Sequence, residues 1–204
     1  MKKILIVERA PSPVHGKAAG NDHPNKNIET DANREKLFSP ITEFQITYRN
    51  LPHWQNPGSV YFVTFRTYHS LILDDVSKQI LYDNIVYYSK TKYDLFSFII
   101  MDDHAHLIIQ PKSTDPNLFI CLPEIMHAVK GYAAKEIKKH LSLMWENADM
   151  EKQRLIPDRI FQGEYYDRII RNDKEFYNTM DYIALNSVKK GLCKNPYDYQ
   201  WYYY

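Results

Sequence analysis

Leu95-Phe96-Ser97-Phe98-Ile99-Ile100-Met101-Asp102-Asp103-His104-Ala105-His106-Leu107-Ile108-Ile109-Gln110 is two apolar, β-prone runs joined by a pair of aspartates, and Pro111 closes the second run. Aspartate suits a turn because its short carboxylate bonds to nearby backbone amides. The stretch therefore reads as a β-hairpin. Its runs are nearly continuous in Ile, Leu and Phe, unlike an edge strand, so the hairpin is expected in the interior of a sheet. His104 and His106 stand two residues apart at the start of the second strand. Strand side chains alternate in direction, so both imidazoles project from one face and form a bidentate metal platform. Taken alone, the pattern is equally compatible with two polar residues on a solvated sheet face.

Working back from the hairpin, Ile80, Leu81, Ile85 and Tyr88 recur at helical spacing, with Asp74 or Asp75 as N-cap and the helix reaching Lys90. Before it, Val60-Tyr61-Phe62-Val63-Thr64-Phe65-Arg66-Thr67 is a β-branched and aromatic run that reads as a strand. Working forward, Ile125, Met126, Val129, Tyr132, Ala133 and Ile137 form the apolar stripe of a second helix, expected from about Leu118 to Leu143 with Pro123 in its first turns. Arg159 to Phe161 is expected to make a short strand. Asn172 or Asp173 then caps a last helix from about Lys174 to Lys190, closed by Gly191. The order β-α-β-β-α-β-α predicts an α+β fold, a ferredoxin-like antiparallel sheet with packed helices and an extra C-terminal helix.

The 204 residues suffice for one domain with a proper core, and 44% hydrophobic with 25% charged residues is ordinary globular composition. Residues 1–45 are expected to be a flexible extension, because Ala10 to Pro40 carries Pro, Gly, Asn, Lys and Asp with almost no aromatics; residues 46–204 form the domain. The net charge of +1 means that any phosphate-binding surface must come from local segregation of charge. From Arg159 to Lys194 there are seven basic residues against five acids, whereas Val60 to Pro111 has four against six, so the carboxyl half is the half expected to face any phosphate-bearing partner. Cys121 and Cys193 have neither CxxC spacing nor a disulfide framework. That favours a reducing compartment, and with no signal-peptide core or membrane span the expectation is a cytoplasmic protein.

Tyr182 sits mid-helix in Met180-Asp181-Tyr182-Ile183-Ala184-Leu185-Asn186, and Asn186 lies four residues on, on the same helical face. One helix thus offers a nucleophile beside an oxygen ligand. A free phenol, with a pKa of about 10, is about a thousandth ionised at neutral pH, so such a nucleophile needs a metal, cation or base nearby. Without further information, packing in the core is the commoner fate for one of 17 tyrosines.

Six motifs fall in order along residues 49 to 201: Asn50-Leu51-Pro52-His53-Trp54, Tyr61-Phe62-Val63-Thr64-Phe65-Arg66, Met101-Asp102-Asp103-His104-Ala105-His106-Leu107, Val129-Lys130-Gly131, Tyr166-Asp167-Arg168-Ile169-Ile170-Arg171 and Asp181-Tyr182-Ile183-Ala184-Leu185-Asn186-Ser187-Val188-Lys189. In that order and spacing the chain resembles the REP-associated tyrosine transposases, single-tyrosine enzymes of the HUH class (His, hydrophobic residue, His) in the IS200-like superfamily. The resemblance implies a metal-dependent endonuclease and strand transferase on hairpin-bearing, repetitive single-stranded DNA. A tyrosine becomes joined to the 5′-phosphate and leaves a free 3′-hydroxyl.

Position by position, the resemblance makes Tyr182 the nucleophile, His104 and His106 the metal pair, and Asn186 the third ligand, with Mg²⁺ or Mn²⁺ as cofactor. Lys130, Arg168, Arg171 and Lys189 are the candidate DNA contacts. Two departures stand out: Ala105 is small for the middle position, and Asn186-Ser187 replaces the usual Asn-Pro, which lets the helix run on. No nucleotide cofactor is expected, since no glycine loop cradles a phosphate. The expected partners are single-stranded DNA with hairpins and, in a homodimer if not a monomer, a second copy; a membrane is not among them.

Two other functions use the same residues differently. A catalytically inactive ferredoxin-like nucleic-acid binding regulator would bind DNA without forming an adduct. A hydrolase using metal-activated water would leave Tyr182 idle. Tyr165 and Tyr166 are either stacking platforms for bases or packing residues on the sheet.

Overall fold

A computed structural model describes residues 45–48, 52–56, 58–115, 118–145 and 157–204. All but Gln45 of the expected extension lies outside them. The elements are strands β1 (Gln45–Tyr48), β2 (Pro52–Gln55) and β3 (Val60–Arg66), helix α1 (Asp75–Ser89), strands β4 (Tyr93–Ile100), β5 (His104–Pro111), β6 (Ser113–Asp115) and β7 (Leu118–Phe119), helix α2 (Leu122–Trp145), strand β8 (Tyr166–Ile170), helix α3 (Asp173–Lys189) and strand β9 (Tyr202–Tyr203).

The main sheet has the order β8-β3-β5-β4-β9, with every pairing antiparallel. Its first four members, with α1 and α2 as the crossovers, reproduce the ferredoxin-like arrangement expected from the element order. β5 is central, and only Gln110 along it is not buried. Its continuous apolar run has a direct cause, since a layer lies on each face. Tyr61, Val63, Phe65, Leu107 and Ile109 face Leu81 and Ile85 of α1 and Ile125, Val129 and Ile137 of α2. Val60, Phe62, Ile99, Met101 and Ile108 face Phe176, Ile183 and Ala184 of α3. Full burial of each large aliphatic or aromatic side chain contributes about 1.5–3 kcal/mol, so the two clusters dominate stability.

The helix boundaries follow their caps. Asp74 accepts from the Ser77 amide and starts α1; Asn172 accepts from the Glu175 amide and starts α3. Gly191, at φ +70°, takes the left-handed conformation just past the end of α3. Ser187 is buried within that helix and donates to the Ala184 carbonyl at 3.3 Å, so the helix continues past Asn186 to Lys189. α2 starts at Leu122 rather than about Leu118, because Leu118 and Phe119 pair instead with β6. Pro123 then stands in the first turn, where a missing amide hydrogen costs nothing.

The fourth sheet strand needs a larger correction. It is Tyr166–Ile170, not Arg159 to Phe161. Ile160 and Phe161 are buried, but Phe161 makes only an isolated bridge to Thr67 beyond the end of β3. The chain then steps away and returns as β8 along Val60 to Thr64. The apolar dipeptide fills the core at the sheet's corner, whereas an edge strand tolerates the polar run Tyr166-Asp167-Arg168. The carboxyl end adds β9 to the opposite edge: Trp201 is buried and its carbonyl accepts from the Ile100 amide at 3.0 Å. Among the described residues, no helix is long and apolar enough to cross a membrane.

Candidate active site

Register aligns the site residues across the sheet. Arg66 pairs with His104 and Thr64 with His106. Thr64 also pairs with Tyr166, His106 with Ile99, and Ile99 with Tyr202. Directly opposed residues share a face, so Tyr166, Thr64, His106, Ile99 and Tyr202 make one cross-strand row on the side covered in part by α3.

The two imidazoles lie with centroids 4.9 Å apart at 72°, and both are largely buried. Each has a partner at Nδ1. Asp103 Oδ1 is 2.6 Å from His104 Nδ1, and Thr64 Oγ1 is 2.7 Å from His106 Nδ1. A carboxylate only accepts, so His104 Nδ1–H donates and its lone pair stands on Nε2; the same tautomer of His106, donating to the hydroxyl, leaves Nε2 available there too. Burial first, then the neighbouring His104 and Arg66, holds the His106 pKa down at about 3, so this ring is neutral at physiological pH. The Asp103 carboxyl is held below its usual range: burial works to raise it, but the His104 hydrogen bond and charge, with Arg66, outweigh that.

α3 delivers Tyr182 to this pair. The Tyr182 ring meets His106 at 5.4 Å and Phe62 at 5.9 Å between centroids, and Phe62 stacks on His106 at 5.4 Å. Tyr182 is 44% exposed, so it is both anchored and open to a substrate. Lys189, two turns on, holds its ammonium 5.5 Å from the Tyr182 ring centroid. The expectation that two weak motifs converge thus has a geometric counterpart: His104, His106 and Tyr182 form one cluster within one chain.

Asn186 is half-buried and its amide donates to the Tyr182 carbonyl at 2.6 Å, leaving Oδ1 as the atom able to ligate. Among the described residues, no group of three or more His, Cys, Asp or Glu is placed to hold a metal. The residues that could hold a divalent cation are His104 and His106 through Nε2, with Asn186 Oδ1 as a candidate oxygen ligand. Two imidazoles, rather than a closed set of four protein ligands, suit a catalytic more than a structural ion.

The expected DNA contacts separate. Arg171 and Lys189 are exposed. Arg168 is engaged: it forms an ion pair with Glu175, donates to Thr179 Oγ1 at 3.2 Å and lies over the Phe62 ring. Lys130 donates to the Gly163 carbonyl at 2.8 Å and sits over Tyr165, where it ties α2 to the chain entering β8. A groove of about 1140 Å³ there, lined in part by Lys130, Lys135 and Arg159, contains none of His104, His106 and Tyr182. Sequence reading missed Arg66. Its side chain is 56% exposed, it stands opposite His104, and it contacts Asp103 at 3.4 Å. Its place at the end of a strand preceding the histidine strand was the signal.

No family model matches the sequence. A REP-associated tyrosine transposase of Escherichia coli is 30% identical over 98 residues, 46% of this chain and 58% of that protein. A Haemophilus influenzae protein named for the same family is 27% identical over 142 residues, 66% of this chain and 73% of its own length. The chain is a relative of the REP-associated tyrosine transposases. The solved structure of a REP-associated tyrosine transposase bound to a REP hairpin superposes with a TM-score of 0.50 and 20% identity, over 76% of this chain and 81% of that one. That likeness concerns the fold, and with it the α+β architecture of these transposases.

Proposed function

We propose that the protein is a metal-dependent single-stranded DNA endonuclease and strand transferase that works through a 5′-phosphotyrosine at Tyr182. Kinship with tyrosine transposases supports the coarser reading, an enzyme of the transposase type acting on DNA. The observation that carries the finer one is the edge-on contact of Tyr182 with His106, which puts a half-exposed phenol beside two imidazoles that are each engaged through Nδ1. By analogy with the neighbour bound to a REP hairpin, the substrate is hairpin-bearing DNA; the single-stranded flank on which Tyr182 acts belongs to this proposal.

Tyr182 Oη attacks the phosphorus; the Oη–P bond forms, the P–O3′ bond breaks, the phenol gives up its proton and the departing 3′-oxygen gains one. A divalent cation, Mg²⁺ or Mn²⁺, held by His104, His106 and Asn186 would withdraw charge from a non-bridging phosphate oxygen. Phe62 holds the Tyr182 and His106 rings in register, and Lys189 supplies positive charge beside the phenol. Attack of a 3′-hydroxyl on the phosphotyrosine reverses the bonds and frees Tyr182, so strands are exchanged without ATP.

A labelled single-stranded hairpin incubated with protein and Mn²⁺ gives a band that migrates with the protein and is lost in Tyr182→Phe. Products with free 5′ and 3′ ends that persist in Tyr182→Phe would instead mean hydrolysis by water. Tight binding with no product under any metal would mean a binding regulator.

A further inference from the structure

Two adjacent tyrosines precede the basic segment of β8, and the fold separates them. Tyr165 is buried in the cluster beneath α2, whereas Tyr166 is 53% exposed on the face that carries His106 and Tyr182. Its ring lies 6.5 Å from Phe62, edge to face, and Phe62 in turn touches both the His106 and Tyr182 rings. In register, Tyr166 pairs with Thr64, which pairs with His106, so two strand spacings, about 10 Å, separate Tyr166 from the histidine. Tyr166 begins an edge strand whose backbone is fixed by pairing with β3, and the side chain is therefore held in place although much of its ring is bare.

A large aromatic exposed beside a site for single-stranded nucleic acid has a specific use. Unpaired bases expose their faces, and every base can stack on a rigid ring without being read by sequence. On the α3 side the sheet face is covered by Ile183, Ala184 and Phe176. Beyond that cover, Thr64, Arg66 and Tyr166 lie on the same face as His106, and Arg66 and Tyr166 are exposed there.

We propose that Tyr166 is a positioning residue that stacks an unpaired base of the single-stranded flank next to the phosphate held at Tyr182. The inference rests on the reading of Tyr182 as the DNA-attacking residue. Stacking fixes the strand's register along the sheet, and so determines which phosphodiester lies over the His104–His106 pair. Neither the ring hydroxyl nor its proton is needed, which distinguishes Tyr166 from Tyr182.

The test uses the full chain and a DNA hairpin whose single-stranded flank carries 2-aminopurine, walked one position at a time. In the Tyr182→Phe background with Mn²⁺, one position is quenched on binding; Tyr166→Ala loses that quench and binds about five- to a hundredfold more weakly, while Tyr166→Phe retains both. An abasic residue at the quenched position removes the difference between Tyr166 and Tyr166→Ala. With Tyr182 intact, Tyr166→Ala also spreads cleavage over neighbouring phosphates. No quenched position, a quench untouched by Tyr166→Ala, or an affinity loss unchanged by the abasic substitution overturns the proposal. Absence of the covalent adduct in the parent protein, with the Tyr166-dependent quench intact, would overturn the chemistry at Tyr182 and leave the stacking role standing.

Discussion

The Tyr182 ring meets His106 edge-on, with centroids 5.4 Å apart, although the two residues come from a helix and a strand 76 positions apart in the chain. The contact is intramolecular, so His104, His106 and Tyr182 meet within one chain. Mixing His104→Ala protein with Tyr182→Phe protein is therefore expected to restore no adduct formation, whether or not the chain dimerises. Adduct yield rising above that of either variant alone would show that sites are shared between copies.

Asp103 and Thr64 orient the two imidazoles through Nδ1. Partners of this kind fix the tautomer of a ligating histidine, and their loss weakens metal affinity about 10–100-fold. Asp103→Ala and Thr64→Val are expected to raise the Mn²⁺ concentration for half-maximal adduct by that factor. At saturating Mn²⁺ most of the rate returns. A metal titration of adduct formation measures both effects.

Arg66 and Arg168 are expected to diverge. Arg66 is exposed opposite His104 and weakly held, so Arg66→Gln lowers the slope of log affinity against log salt for a single-stranded oligonucleotide by about 0.7, one phosphate contact. Arg168 is bound to Glu175 and Thr179, and the same Glu175 accepts from the Arg171 amide at the start of α3. Arg168→Gln is expected to cost about 1 kcal/mol of stability, a modest figure because the pair is partly solvated, with little change in salt slope. Fluorescence anisotropy and denaturant unfolding separate the two.

Asp74 caps α1 and also accepts from His140 of α2 at 2.8 Å, which joins the two helices. Burial works to raise its carboxyl, but the bonds from Ser77 and His140 outweigh it and hold the pKa below the usual value. A carboxyl depressed on folding contributes stability that is fully present above its unfolded value, about 3.9, and lost as pH falls through the lower folded value. Asp74→Ala is expected to cost about 0.5–2 kcal/mol at neutral pH. Its deficit against the parent shrinks as unfolding is measured at successively lower pH below 4; a deficit constant with pH would refute the charge-based account.

Local signals explain which elements could be read without coordinates. Asp74, Asn172 and Gly191 mark helix ends because capping involves only the residues flanking the helix. The Asp102-Asp103 turn and the apolar runs beside it place β4 and β5 within two or three residues of their ends. β8 was not legible. Ile160-Phe161 is the more apolar candidate, and only the pairing of Tyr166 to Ile170 with β3 shows that the polar run is the strand. Trp201 to Tyr204 likewise carries no local signal; β9 and the burial of Trp201 place it at the edge of the main sheet.

By itself the sequence determined the β-α-β-β-α-β-α succession of the main elements, though not where its fourth strand lies, the shared face of His104 and His106, and the helical position of Tyr182, since each depends on periodicities of two or 3.6 residues that neighbours impose on one another. Only the tertiary structure decided that Tyr182 faces His106, that Asp103 and Thr64 hold the imidazoles, that Arg168 and Lys130 are engaged within the protein, and that Tyr166 rather than Tyr165 looks onto the site. Apart from Asp103 beside His104 and Arg168 with Glu175, those relations join residues distant in the chain. They are set by the register of β3, β5 and β8 and by the layer that covers each face, which no local pattern encodes.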